Sequence, residues 1–232
     1  MNFKFVVLIV VGLLFSQARA DFSGVIYEKD SQKKKELFKI QVEEKSDKEN
    51  VNVKSTFKDS DGVVAIEQSV TLHGDDIVRD EVEQKQLGQK GLIEVKEDQI
   101  FFSKTVKGET KVKKEKKGDT FVTSGNFQRF VRSHWSEIEK GTSISFRFGV
   151  WDRQETVGFE IFKISEEKIN DKAVLVLKMK PSSFLIAALV KPLIFKFAAD
   201  GSHLVEMVGR VAPKQKKGDD YKDLDAEVVY TY

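Results

Sequence analysis

At 232 residues, with 33% of its side chains charged and 40% hydrophobic, the chain is long enough to bury one real core and carries a single apolar stretch near spanning length, at its start. Its 39 lysines and arginines stand against 37 acids, a balance that argues against a nucleic-acid partner, since such binders need an excess of basic side chains to match phosphates. There is no cysteine, which excludes disulfides, thiolate metal sites, thiol nucleophiles and a lipid-modified N-terminal cysteine.

Residues Met1 to Ala20 have the three parts of a secretory leader: Lys4, an apolar run from Phe5 to Phe15, and the small-x-small triplet Ala18-Arg19-Ala20. The run is too short for a spanning helix, so cleavage is expected before Asp21, leaving residues 21–232 as a single β-rich domain. The leader takes Lys4 and Arg19 with it and no acid, so the mature chain is electrically neutral. An exported, cysteine-free protein fits a bacterial periplasm better than the extracellular medium, where disulfides are commoner.

Past the leader the dominant period is two, the mark of strands with one buried face. Phe38, Ile40 and Val42 alternate with charged and polar residues, as do Val51, Val53 and Phe57, and then Val64, Ile66, Val70 and Leu72. Asp59-Ser60-Asp61-Gly62 and His73-Gly74-Asp75-Asp76 read as the turns between them. From Ile77 to Leu87 the pattern weakens, with Val78 and Val82 compatible with a strand or a helix face, and the neighbouring strands favour a strand. Leu92–Val95, Ile100–Val106 and Lys111–Lys117 continue the meander with short connections, which implies antiparallel pairing.

One helix interrupts. Phe127, Phe130, Val131, Trp135 and Ile138 recur at helical spacing, Ser124 or Asn126 can cap the start, and Gly141 follows the last turn. Its aromatic stripe reads first as core that plugs or covers the sheet. Strands then resume at Ile144–Val150, Thr156–Ile164, Ala173–Met179, Leu193–Phe197, Leu204–Val211 and Ala226–Tyr232. With roughly twelve strands, a single sheet must curl. The expected fold is mainly β: a curled antiparallel sheet, as half-barrel, barrel or sandwich, with one amphipathic helix and one short apolar helix.

That second helix is the run Phe184-Leu185-Ile186-Ala187-Ala188-Leu189-Val190, apolar on every side and followed by Lys191-Pro192. A helix covering a sheet needs only one apolar face. The surplus either completes the core or meets a ligand or membrane. Phe184, Leu185, Ile186 and Leu189, together with Phe127, Phe130 and Trp135, are therefore the candidate lining of an apolar ligand site. Lys111, Lys113, Lys114, Lys116 and Lys117 form a basic ribbon that reads either as an edge strand defended against foreign pairing or as a contact for anionic headgroups or polysaccharide.

No catalytic or metal-binding pattern stands out. His73, His134 and His203 lie on separate elements outside any ligand spacing, there is no G-x-S-x-G elbow, and Asp75-Asp76 and Asp219-Asp220 read as solvated pairs. The turn at Asp59 lacks the acidic twelfth ligand of a calcium loop, Val70 standing there instead. No enzyme activity, metal or cofactor is expected. The C-terminal face of Ala226, Val228, Tyr230 and Tyr232 looks like the closing strand of an outer-membrane barrel, a minority reading set against the abundance of lysine and glutamate.

Four features, Lys58-Asp59-Ser60-Asp61-Gly62, the segment Phe127–Trp135, Phe146-Arg147-Phe148 and the run ending Val190-Lys191-Pro192, together resemble a class of exported bacterial curled-sheet proteins of unassigned role. More distantly the chain is similar to the half-barrel carriers that move lipoproteins across the periplasm. That resemblance implies an apolar concavity closed by helices, with a lipid or other hydrophobic molecule as ligand; contact with a membrane surface rests on the lysine ribbon and the apolar run. The alternative is an envelope structural or interaction protein with no small ligand.

Overall fold

A computed structural model of the chain describes residues 19–47, 49–118, 120–183 and 191–232. Eight strands come first: β1 (Arg19–Glu28), β2 (Glu36–Asp47), β3 (Asn50–Asp59), β4 (Val64–His73), β5 (Asp76–Gln84), β6 (Gln89–Lys96), β7 (Gln99–Val106) and β8 (Glu109–Lys116). A two-residue strand, β9 (Phe121–Val122), leads to helices α1 (Phe127–Ser133) and α2 (Trp135–Glu139). Six more strands follow: β10 (Ile144–Val150), β11 (Glu155–Ile169), β12 (Lys172–Pro181), β13 (Leu193–Ala198), β14 (Leu204–Lys217) and β15 (Asp220–Thr231).

All of them form one curled sheet in the order β8-β7-β6-β5-β4-β3-β2-β1-β15-β14-β13-β12-β11-β10-β9. Two meanders are thus fused at the middle, where β1 pairs with β15 from Ser23↔Thr231 to Glu28↔Ala226. Every ladder is antiparallel except the short parallel pair of β9 with β10. The two edges, β8 and β9, are joined by only a few residues of chain, so the sheet curls round until its ends meet.

The turn chemistry expected from the sequence is present. The Asp59 carboxylate accepts from the Asp61 and Val63 amides at 3.0 and 2.9 Å, and Gly62 takes a left-handed φ of 81°. Lys107-Gly108 and Asn170-Asp171 both have positive φ at their two positions, which matches the right-handed twist of a hairpin.

The strand count is fifteen, above the roughly twelve expected; β1 and β9, which carry too little alternation to be seen, are the two that no expected stretch covers. The single helix expected from Phe127 to Ile138 is two. The Phe130 carbonyl, which the His134 amide would take in a continuous helix, instead faces the Ser133 hydroxyl at 2.9 Å and the His134 ring at 3.0 Å. His134 consequently leaves helical geometry, with φ −105° and ψ 12°. After α2, Gly141 at φ 90° closes the helix, with its amide on Ile138 and that of Thr142 on Glu137. The apolar run at 184–190, expected as a further helix between β12 and β13, lies outside the described residues.

The apolar face of the sheet points inward and the charged face outward. Ile26, Ile66, Leu72, Ile93, Ile100, Phe102, Ile161, Leu177 and Phe197 are fully buried in the concavity. The helices close one end: Phe127 packs on Phe195 with ring centroids 4.6 Å apart, and Phe130 on Phe146 at 4.7 Å. Trp151, from the β10–β11 turn, fills the other end against Gly91, where a Cβ would sit 2.2 Å from the indole.

Candidate functional site: the concavity and its seam

The sequence-derived ligand residues fall into two groups. Phe127 and Phe130 are buried, 7% and 5% exposed, in a cluster with Phe146, Leu177 and Phe195. Trp135 is half-buried, its ring 5.8 Å from that of Phe197 and pressed on Gly201, whose φ of 73° and lack of a Cβ admit the indole. These three aromatics are therefore brought together, as the plug of the concavity. Phe184, Leu185, Ile186 and Leu189 lie outside the described residues, between the end of β12 at Pro181 and the start of β13 at Leu193.

The plug is pinned at its rim by polar contacts. Arg129 of α1 pairs with Glu44 and with Asp75. Gln128 accepts from the Leu204 amide at 3.3 Å and from the hydroxyl of Tyr232 at 2.9 Å, while Tyr232 stacks on Phe22 at 4.8 Å. The terminal aromatic that resembled an outer-membrane signal thus has a local role in holding α1. Asn126, at the start of α1, does not cap it with its side chain; the amide accepts from Thr123 N–H at 2.9 Å and donates to the Asp75 carbonyl at 3.0 Å.

Beneath the plug lies a polar network that sequence reasoning missed. Asp80 of β5 points inward and is 3% exposed. It accepts from the Gln68 amide at 2.8 Å and from the Thr123 hydroxyl. Gln68 also donates to Ser124 at 3.0 Å. Burial pushes the Asp80 carboxyl above the ordinary carboxylate range, a rise only partly offset by the hydrogen bonds from Thr123 and Gln68. A β-bulge between Thr71 and Leu72 shifts the register, so that Ile77 and Val82 face in with Asp80 while Val78 is extruded, 41% exposed.

The sheet is not closed by a backbone ladder. Across the seam between β8 and the β10–β11 hairpin, side chains make the link. The Glu115 carboxylate accepts from the Thr156 amide at 3.1 Å and the Thr156 hydroxyl at 2.7 Å, while Arg147, within the hairpin, donates to the Thr156 carbonyl at 2.7 Å. Gln154, buried and at a left-handed φ of 56°, donates to the Lys111 carbonyl at 2.8 Å and the Phe102 carbonyl at 3.3 Å. Lys104 reaches the Asp152 carbonyl at 2.9 Å.

The lysines of the basic ribbon divide between the two faces of the sheet. Opposite residues in a ladder share a face. Lys111 and Lys113 lie opposite Lys104 and the fully buried Phe102, on the concave side, whereas Lys114 and Lys116 lie opposite Phe101 and Gln99, on the convex side. Lys117 has left the strand; its ammonium faces Asp76 at 3.7 Å and its amide donates to the Asp98 carbonyl.

Two clefts open to solvent at the ends of the sheet. One, of about 330 Å³, is lined by Phe22, Val42 and Tyr232 with polar neighbours; the other, of about 200 Å³, by Leu37, Phe38, Gln86, Tyr221 and Leu224 among others. Among the described residues, no three His, Asp or Glu side chains converge as a metal site would require.

Fold and site together define a barrel-like protein: a curled, unclosed antiparallel sheet with an apolar concavity plugged by two helices. No family model matches the chain, and no curated protein matches it. Among solved structures it is similar to a β-barrel-like protein of Domain of Unknown Function DUF1849 from Brucella abortus, with a TM-score of 0.49 and 12% identity over 93% of this chain and 95% of that one.

Proposed function

We propose that this is an exported, non-enzymatic protein of the bacterial periplasm that binds a lipid or other hydrophobic ligand in the concavity of its curled sheet. The observation that carries the reading is the seam. An apolar interior is enclosed by a sheet whose edges are held by a handful of side-chain hydrogen bonds, each worth about 1 kcal/mol net, instead of a continuous ladder. Parting β8 from the β10–β11 hairpin exposes that interior at modest cost, and the plug helices are short enough to shift with it. The run 184–190 adds a wholly apolar segment in sequence between β12 and β13.

A second reading, an envelope structural or interaction protein without a small ligand, is favoured by how completely the described side chains fill the concavity, with Phe127, Phe130 and Trp151 closing it at both ends. Titration with a fluorescent fatty-acid analogue separates the two. Under the first reading binding saturates, and Leu185→Ser or Leu189→Ser weakens it with little change in melting temperature. Under the second no saturable binding occurs, and each substitution costs about 2–5 kcal/mol, as buried large-to-small changes do.

A further inference from the structure

We propose that the convex face of β6–β8 is a docking surface for an anionic phospholipid bilayer. Leu92, Ser103 and Val112 lie opposite one another across the three strands, in a row that faces away from the core. Val112 is 62% exposed. In the next row Phe101 lies opposite Lys114, and Lys96 stands over the Phe101 ring at 5.7 Å. Lys114 and Lys116 project from the same face, and among the described residues neither has an ion-pair partner.

The charge is concentrated here. By the ladder register this face of β6–β8 carries Lys90, Lys96, Lys114 and Lys116 against the one acid Glu94, in a mature chain whose total is neutral. Defence of an edge strand does not account for the pattern. The β8 edge is already met by Gln154, and edge defence needs neither an exposed valine nor a phenylalanine beneath a lysine. Leu92 and the exposed Val112, flanked by the unpaired Lys114 and Lys116, are the complement of a bilayer surface, which offers anionic headgroups above hydrocarbon. Docking there would set the seam of the concavity against the membrane, although the surface stands on its own residues and not on the ligand reading.

The test is co-sedimentation of the protein, expressed with its leader and processed in a bacterial host, with vesicles of phosphatidylcholine alone or mixed with phosphatidylglycerol. Binding to the mixed vesicles only is expected, falling about 10-fold or more in the K114E/K116E double variant and also falling in Val112→Ser. Charge reversal elsewhere, in K54E/K58E on β3, should leave it near the parent value. No binding to the mixed vesicles overturns the proposal. So does equal loss in both double variants, or retention of K114E/K116E on vesicles alongside its loss from an anionic polysaccharide resin. Uptake of the fluorescent fatty-acid analogue by K114E/K116E should match the parent, so failure of the docking surface and failure of the ligand reading are separately visible.

Discussion

Asp80 is the residue whose burial demands the most explanation. A carboxylate inside an apolar sheet is tolerable if it is hydrogen-bonded or neutral, and its partners here are Gln68 and Thr123, with no lysine or arginine beside it. Because burial raises its folded-state pKa above the unfolded value, the folded protein holds this proton more tightly. The stability it contributes is therefore full below the unfolded value and lost as pH climbs through the raised one. Asp80→Asn keeps an acceptor for Gln68 and removes the titration. Thermal melts should show the variant at least as stable as the parent at about neutral pH, with the gap closing toward about pH 4. A variant less stable at neutral pH by the same margin at every pH would mean that Asp80 is charged in the fold. The sequence hid this residue for a physical reason: the bulge after Thr71 reverses which of Ile77 and Val78 faces in, so the alternation that exposes other strands is broken where Asp80 enters the core.

At the scale of elements, most strands were legible because one buried face forces a period of two, and hairpin turns need residues that tolerate positive φ. Two strands were not. On β1 the inward positions are Phe22, Gly24 and Ile26, and Gly24 has no side chain because Tyr230 lies where its Cβ would approach to 3.2 Å. On β9 two residues pair, too few for any period. The helix break was equally invisible, since the aromatic stripe runs through it and only the Ser133 and His134 side chains, by taking the Phe130 carbonyl, interrupt the backbone. The seam depends on Glu115, Gln154 and Thr156, which are polar residues of ordinary local pattern brought together by closure of the whole sheet. Removing the latch tests it: Glu115→Ala should speed hydrogen exchange at β8 and at the Thr156 amide by about 5-fold or more, the equivalent of one lost hydrogen bond, while β2–β4 stay protected. Unchanged exchange at β8 would show that the seam is held by something other than these contacts.

For the whole molecule, the curled sheet follows from the number of strands and the two meanders meeting at β1 and β15. Of the candidate site, the plug aromatics could be named from their spacing, whereas the division of the lysines between two faces required the β7–β8 register. The central claim, that an exported sheet encloses an apolar ligand, is tested most directly on protein purified from the envelope of its native host, extracted with organic solvent and examined by mass spectrometry. The account predicts a chain beginning at Asp21 that releases a hydrophobic molecule in near-stoichiometric amount. A protein that releases none, and takes up none when offered host lipid, would contradict it.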